Sequence, residues 1–303
     1  MGVNMNAYTE IDFFRFQKRF QKEEQCFEYL KKLRWPNGFI CPKCGHNKAY
    51  FTAKRKLFQC ENCRHQTSVT AQTLFHRTRV PLRKWFWAIY LVGSDKRGCS
   101  AKRLETMLDV NYVTAWLMVH KIRKAMEDRD TRYMLGHFIE MDEAFFGGPF
   151  SGKRGRGAGN KSKVIVAVEN RGTSAGYAKM TVVDVLDADS IRTVATKTIR
   201  NQSTIRTDDY PAYTVLGEHF QHQGETVKPH EVKEKLPWVH ILIGNAKTFI
   251  RGTYHGVSHK HLQRYLNEFC YRFNRRLNES EIFDRILVAS LSTRTLTFAE
   301  LTQ

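Results

Sequence analysis

The spacing of apolar and polar positions changes character twice before residue 130 and repeatedly after it. Over residues 8–34, Phe13, Phe14, Phe16, Phe20, Cys26, Phe27 and Leu30 recur at helical spacing among Lys and Glu, which predicts one amphipathic helix. Pro36 and Gly38 end it. The helical period then gives way to short runs at Tyr50, Phe51, Leu57 and Phe58, which read as hairpin strands. Helical spacing returns over 82–128. Trp85, Ala88, Ile89 and Val92 make one stripe, broken at Gly93 and Gly98. Ser100 can cap a second helix with Leu104, Met107 and Leu108 inward, and Asn111 a third with Val113, Leu117, Ile122 and Met126 inward. A short helix, the LDVN turn and a longer basic helix form a helix-turn-helix pattern. Tyr112, Thr114, Lys121, Arg123 and Lys124 are expected on its outer face, where DNA would lie.

From about residue 137 the period becomes extended. HFIEMDEAFFGG, SKVIVAVEN and GYAKMTVVDVL read as strands, and DADSIRTVATKTI as a helix with Asp187 or Asp189 near its start. STIRTDDY is a short strand, and the remainder reads mainly as helix. Three strands, a helix, a strand and further helices are the order of an RNase H-like domain.

Cysteine placement adds a metal site to this outline. Cys41, Cys44, Cys60 and Cys63 follow a C-x2-C-x15-C-x2-C spacing, whereas Cys26, Cys99 and Cys270 stand alone in apolar stretches. Four thiolates so spaced close a tetrahedral shell around Zn2+, with no position open for catalysis. A ribbon of this size depends on its metal to fold. Lys43, Lys48, Lys54, Arg55 and Arg64 flank the pairs and could be presented to DNA.

Charge narrows the partner. With 49 Lys and Arg against 30 Asp and Glu, the 303-residue chain carries a formal +19, which favours a polyanion. No apolar run reaches membrane-spanning length, and MGVNMNAYTEIDFFRF lacks the pattern of a secretory signal, so no membrane association is expected. The segment SGKRGRGAGNKSK (151–163) has five basic residues, four glycines and no acid. It reads equally as a solvated hairpin or as a phosphate-contacting loop through Lys153, Arg154 and Arg156.

Two acids stand out by setting. Asp142 lies in a strand flanked by Phe138, Ile139 and Met141, and Asp208 ends the STIRTDDY strand beside Asp209. An acid in an apolar strand needs a partner, and two at neighbouring strand ends can share hard cations. Turn formation or helix capping is the alternative, most directly for Asp209 ahead of PAYTVL.

The motifs CPKCG…CENC, TAWLMVHKIRKAM, EMDEAFFGG, TDDYPAY and HILIGNAKTFIRGTYHGVSHKHLQRYLNEFCYRFNRR occur in one order over residues 10–290. Together they resemble the zinc-ribbon insertion-sequence transposases of prokaryotes, relatives of the eukaryotic Merlin transposons. The resemblance implies DNA transposition by an RNase H-like domain of DDE type, its first two catalytic acids matching Asp142 and Asp208. At the third position the chain departs from that pattern, with Asn245 and nearby Lys247 in place of an acid. An Asn carbonyl oxygen can still coordinate Mg2+. The resemblance therefore implies Asp142, Asp208 and Asn245 as ligands of two Mg2+ or Mn2+ ions and Lys247 as a phosphate contact. Glu231, Glu234 and Glu268 are rival third ligands.

The expected class is α+β and multidomain: an N-terminal helical segment (1–35), a zinc ribbon (36–72), a helix-turn-helix domain (80–130) and an RNase H-like catalytic domain with basic C-terminal helices (135–291). Arg272 and Arg275 on those helices could track phosphates. The implied partners are double-stranded DNA, as transposon ends and target, and further copies of the chain in a dimer or larger assembly. The implied location is the cytoplasm, at the prokaryotic nucleoid. A catalytically inactive or domesticated regulator is the alternative that Asn245 leaves open.

Overall fold

The N-terminal apolar repeat folds as two helices rather than one, α1 (Phe13–Arg19) and α2 (Glu23–Arg34), in the computed structural model, which describes residues 11–147, 161–226 and 235–302. Asp12 starts α1 by accepting the Arg15 amide at 2.8 Å, and the Gln25 side chain restarts the chain by accepting the Lys22 amide at 2.8 Å. The break still delivers both Phe16 and Phe20 into one aromatic core. Phe16 stacks on Tyr90 at 4.3 Å and meets Phe283 edge-on at 5.0 Å, while Phe20 meets Phe86 at 4.9 Å.

That core belongs to the first of two units, Met1–Asp128 with Leu277–Gln303; the second is Arg129–Arg276. The first holds the three-stranded antiparallel ribbon β1 (Ala49–Thr52), β2 (Leu57–Cys60) and β3 (Gln66–Ser68). It also holds α3 (Leu82–Ser94), α4 (Ala101–Leu108) and most of α5 (Tyr112–Asp130). Ser100 and Asn111 cap as expected, accepting the amides of Arg103 at 3.2 Å and Thr114 at 2.8 Å. Between them Asp109 turns the chain at φ 49°.

Two expectations are corrected in this unit. Helix α3 runs through Gly93, because glycine there serves packing: a Cβ would stand 2.8 Å from Ile282 Cγ2. On α5, Lys121 and Arg123 are 8% and 2% exposed where an outward face was expected, and Val113, expected inward, is 54% exposed. Ala115, Met118, Val119, Ile122, Ala125 and Met126 form one buried stripe, and His120, Lys121 and Arg123 are buried on the other sides, so the helix is covered around most of its girth.

Residues 277–291, placed by the sequence with the catalytic domain, group instead with the first unit. In sequence order past two further helices (below) comes α9 (Ile282–Ser292), whose Phe283 completes the aromatic core, and whose buried Asp284 accepts the Tyr29 hydroxyl at 2.6 Å.

The second unit is a five-stranded sheet in the order β6-β5-β4-β7-β8. Strands β4 (Phe138–Phe146), β5 (Ser162–Asn170) and β6 (Ala175–Val183) are antiparallel; β7 (Thr204–Asp208) runs parallel to β4, and β8 (Gln221–Glu225) parallel to β7. This is the RNase H-like arrangement that the element order predicted, with β4 central. Helix α6 (Ala188–Thr198), capped by Asp187, and a 3-10 helix (Pro211–Glu218) cover one face; α7 (Pro237–Tyr254) and α8 (His259–Phe273) cover the other. Strand alternation sorts β4 accordingly: Ile139 and Met141 enter the α6 core, Ala144 and Phe146 the α7 core. Strand β8 and the 3-10 helix were not anticipated, QHQGE having no apolar residue to mark a strand. Among the described residues no helix is long and apolar enough to cross a membrane.

Candidate metal centres

In the ribbon, two knuckles repeat one design. The Cys41 amide donates to His46 O and Gly45 back to Cys41 O, at 2.8 and 2.9 Å; Cys60 donates to His65 O and Arg64 back to Cys60 O, at 2.9 and 3.1 Å. The turns bring all four sulfurs within 4.8 Å of one another, with Cys41–Cys63 and Cys44–Cys60 Sγ separations of 3.6 Å. A tetrahedron with Zn–S bonds of about 2.3 Å has edges near 3.8 Å, so the donor set fits zinc with almost no movement. The thiols also conflict electrostatically without a cation. Aided first by the His46 amide, Cys44 falls to about 6; the His65 amide pulls Cys63 down, but burial and the neighbouring sulfurs together outweigh it and push it up to about 12.

The second cluster is made by strand register. Phe138, Ile139 and Glu140 pair with Thr204, Ile205 and Arg206, and continuing by two residues sets Asp142 level with Asp208. Glu143, not anticipated by the sequence reading, joins them: one carboxylate oxygen from each of Asp142, Glu143 and Asp208 lies within 4.8 Å of the others. Oxygens sharing one divalent ion at about 2.1 Å can be no more than about 4.2 Å apart, so sub-ångström side-chain adjustment would close a shell. Asp142 is 9% exposed and its Oδ1 accepts the Glu143 amide at 2.8 Å; Asp208 Oδ1 accepts the Tyr210 amide at 3.2 Å. Asp209 caps nothing and instead accepts the Thr226 hydroxyl at 3.1 Å.

Each face of the sheet supports this cluster. On the 3-10 side, buried Tyr213 donates its hydroxyl to Glu143 Oε2 at 3.0 Å, and burial followed by the charges of Glu143, Asp142 and Asp208 holds its pKa well above the usual range. On the α7 side, fully buried Glu140 accepts the Val239 amide at 2.8 Å and Asn170 Nδ2 at 2.7 Å, fixing the start of the helix over β4. The next residue, His240, then places Nδ1 3.6 Å from Asp142 Oδ2. Burial lowers the His240 pKa against an opposing pull from Asp208, and Lys247 is lowered by burial, then by Arg251 and Lys161, with Asp142 opposing.

Asn245 is not part of this grouping. At 100° per residue, His240 and Lys247 stand within about 20° of each other around α7, and Asn245 about 140° from His240 on an exposed flank. Of the rival acids, Glu268 is fully buried and pairs with Arg272 at 3.3 Å, while Glu231 and Glu234 lie outside the described residues.

The basic residues divide. Lys43, Lys48, Lys54, Arg55 and Arg64 of the ribbon are exposed, next to exposed Tyr50 and Phe51. Tyr112 is exposed and Thr114 half-buried. Lys124 binds Asp128 at 2.6 Å. Arg272 is 7% exposed, and Arg275 grips Asp130 at 2.6 and 3.2 Å over the Tyr271 ring, so both are tied into the fold where phosphate contacts were expected. Lys153, Arg154 and Arg156 lie outside the described residues.

Comparison with known proteins adds four findings. Residues 134–274 match an ISXO2-like transposase domain, and residues 21–66 a transposase zinc-ribbon domain. An uncharacterized protein in transposable element ISH50 of Halobacterium salinarum is 27% identical over 218 residues, covering 66% of this chain and 72% of that protein. The crystal structure of the Mos1 strand transfer complex is similar over 65% of this chain and 78% of its own, at 10% identity and a TM-score of 0.25, too slight a likeness to reason from.

Proposed function

This chain belongs to the zinc-ribbon insertion-sequence transposases, and from that premise we propose that it binds the terminal inverted repeats of its element, cleaves there and joins the freed end to target DNA. The observation that carries the catalytic part is the meeting of Asp142 and Asp208, from adjacent parallel strands, within a cluster of three carboxylates. Three carboxylates brought this close repel one another, and their oxygen donors suit Mg2+ or Mn2+. Divalent cations bound there supply charge neutralisation at the scissile phosphate and a more acidic attacking hydroxyl.

The chain's own residues do the rest. Asp142 and Asp208 hold the centre on the rigid middle of the sheet, and Tyr213 orients Glu143 by its hydroxyl. Lys247, on the same flank of α7 as His240, meets a non-bridging phosphate oxygen. Hydrolysis of one phosphodiester frees a 3′-hydroxyl; attack of that hydroxyl on a target phosphodiester makes one bond for each bond broken. The exposed basic residues of the ribbon and the α4–α5 pair are the surfaces that engage duplex DNA, phosphates setting register and base edges specificity. Two ends require two active sites, so the working form is a dimer or larger assembly on DNA.

One observation favours a non-catalytic regulator: α7 contains no carboxylate, and Asn245 is turned from the cluster. Cleavage of a duplex carrying the terminal repeat separates the readings. The parent is expected to release a 3′-hydroxyl end in Mg2+ or Mn2+, and Asp142→Ala and Asp208→Ala to bind the same duplex without cutting it. Tight binding by the parent with no cleavage in either metal would establish the regulator.

A further inference from the structure

We infer that His240 is the ligand α7 contributes to the metal held by Asp142, in the role that the family pattern gives to residue 245. The inference rests on the metal-centre reading above and adds to it the identity of the third donor.

Two observations converge on His240. Its Nδ1 stands 3.6 Å from Asp142 Oδ2, inside the limit of about 4.2 Å for two donors on one ion. Its position is built in: Glu140, two residues before Asp142 on the same face of β4, binds the amide of Val239, so strand and helix are locked together one residue away from the imidazole. Asn245, by contrast, would need roughly 140° of helix rotation to reach the same flank. Such rotation would expel Val239, Leu242, Ala246 and Phe249 from the core beneath α7.

Donor chemistry has a consequence for metal choice. Two or three carboxylates alone suit Mg2+; adding an imidazole shifts preference along the first transition row, so Mn2+ binds in preference to Mg2+.

The test is pulsed electron paramagnetic resonance of Mn2+ on the full-length, zinc-loaded protein. A coordinated imidazole gives nitrogen modulation of the echo, whereas an amide bound through oxygen gives none. The parent is expected to show that modulation, altered by 15N-histidine labelling, lost in His240→Gln and kept in Asn245→Ala. His240→Gln is also expected to weaken Mn2+ binding at least about tenfold, the lower end of the cost for losing even an outer partner of a metal site. Labelling needs no variant, so a folding defect in His240→Gln cannot mask the answer. Mn2+ binding that depends on Asp142 and Asp208 but shows no histidine nitrogen overturns the assignment and leaves the centre standing. Mn2+ binding indifferent to Asp142→Asn and Asp208→Asn overturns the centre, and this assignment with it.

Discussion

Lys121 carries a charge into a helix covered on most of its surface, and burial lowers its pKa. Because the folded value lies below the unfolded one, the unfolded chain binds more protons between the two, and stability rises with pH through that window. Lys121→Met is therefore expected to raise stability by about 1 kcal/mol at neutral pH. The gain should shrink to nothing as pH climbs past the unfolded lysine value, which parallel denaturant titrations would reveal. A DNA contact at this residue would instead show as weaker end binding with unchanged stability. The same scale shows what the sequence can and cannot mark. Asp142 stood out because an acid in a strand beside Phe138, Ile139 and Met141 is chemically out of place, and Asp208 because it ends a strand. His240 and Glu143 were not, since only helix phase and strand register bring them to those acids. Lys121 and Arg123 misled because periodicity cannot see how many neighbours surround a helix.

Among the elements, those with strong periodicity or unmistakable ligands were readable, and those defined by partners were not. The ribbon needed only its cysteine spacing. Chelation of zinc is expected to unfold it, exposing Phe58, which packs between Trp35 at 5.0 Å and Phe51 at 4.7 Å, and to abolish end binding. Retention of a folded ribbon after complete zinc removal, followed by near-ultraviolet circular dichroism, would refute the structural role. Strand β8 lacked an apolar signature because it lies at the sheet edge. Gly93 read as a helix breaker when its function is close approach: α3 passes through it against Ile282 and Ile286 of α9. Gly93→Val should thus cost about 1–3 kcal/mol by overpacking. A loss far below that in urea unfolding would mean that the two helices separate easily.

For the whole molecule, the order of parts was written in the sequence, but the path of the C-terminus was not. The RNase H-like order survives intact in the sheet β6-β5-β4-β7-β8, because strand alternation and the Asp187 cap are local signals. The return of Leu277–Gln303 to the first unit is a long-range event, fixed by Phe283 and Asp284 meeting Phe16, Phe20 and Tyr29. No window of sequence records such a meeting. The basic surplus likewise said DNA without saying where: Arg275 is spent on Asp130 and Arg272 on Glu268, whereas the ribbon's Lys43, Lys48, Lys54, Arg55 and Arg64 and the Lys102 and Arg103 of α4 stay exposed. The claim that unites both units is that this chain joins DNA ends at the Asp142–Asp208 pair. Strand transfer in vitro measures it directly, with purified protein, Mg2+ or Mn2+, a pre-cleaved terminal-repeat duplex ending in a 3′-hydroxyl, and a target plasmid. Joined products are expected from the parent and none from Asp142→Ala or Asp208→Ala, all three binding the end equally. Joined products that persist in either variant would contradict it.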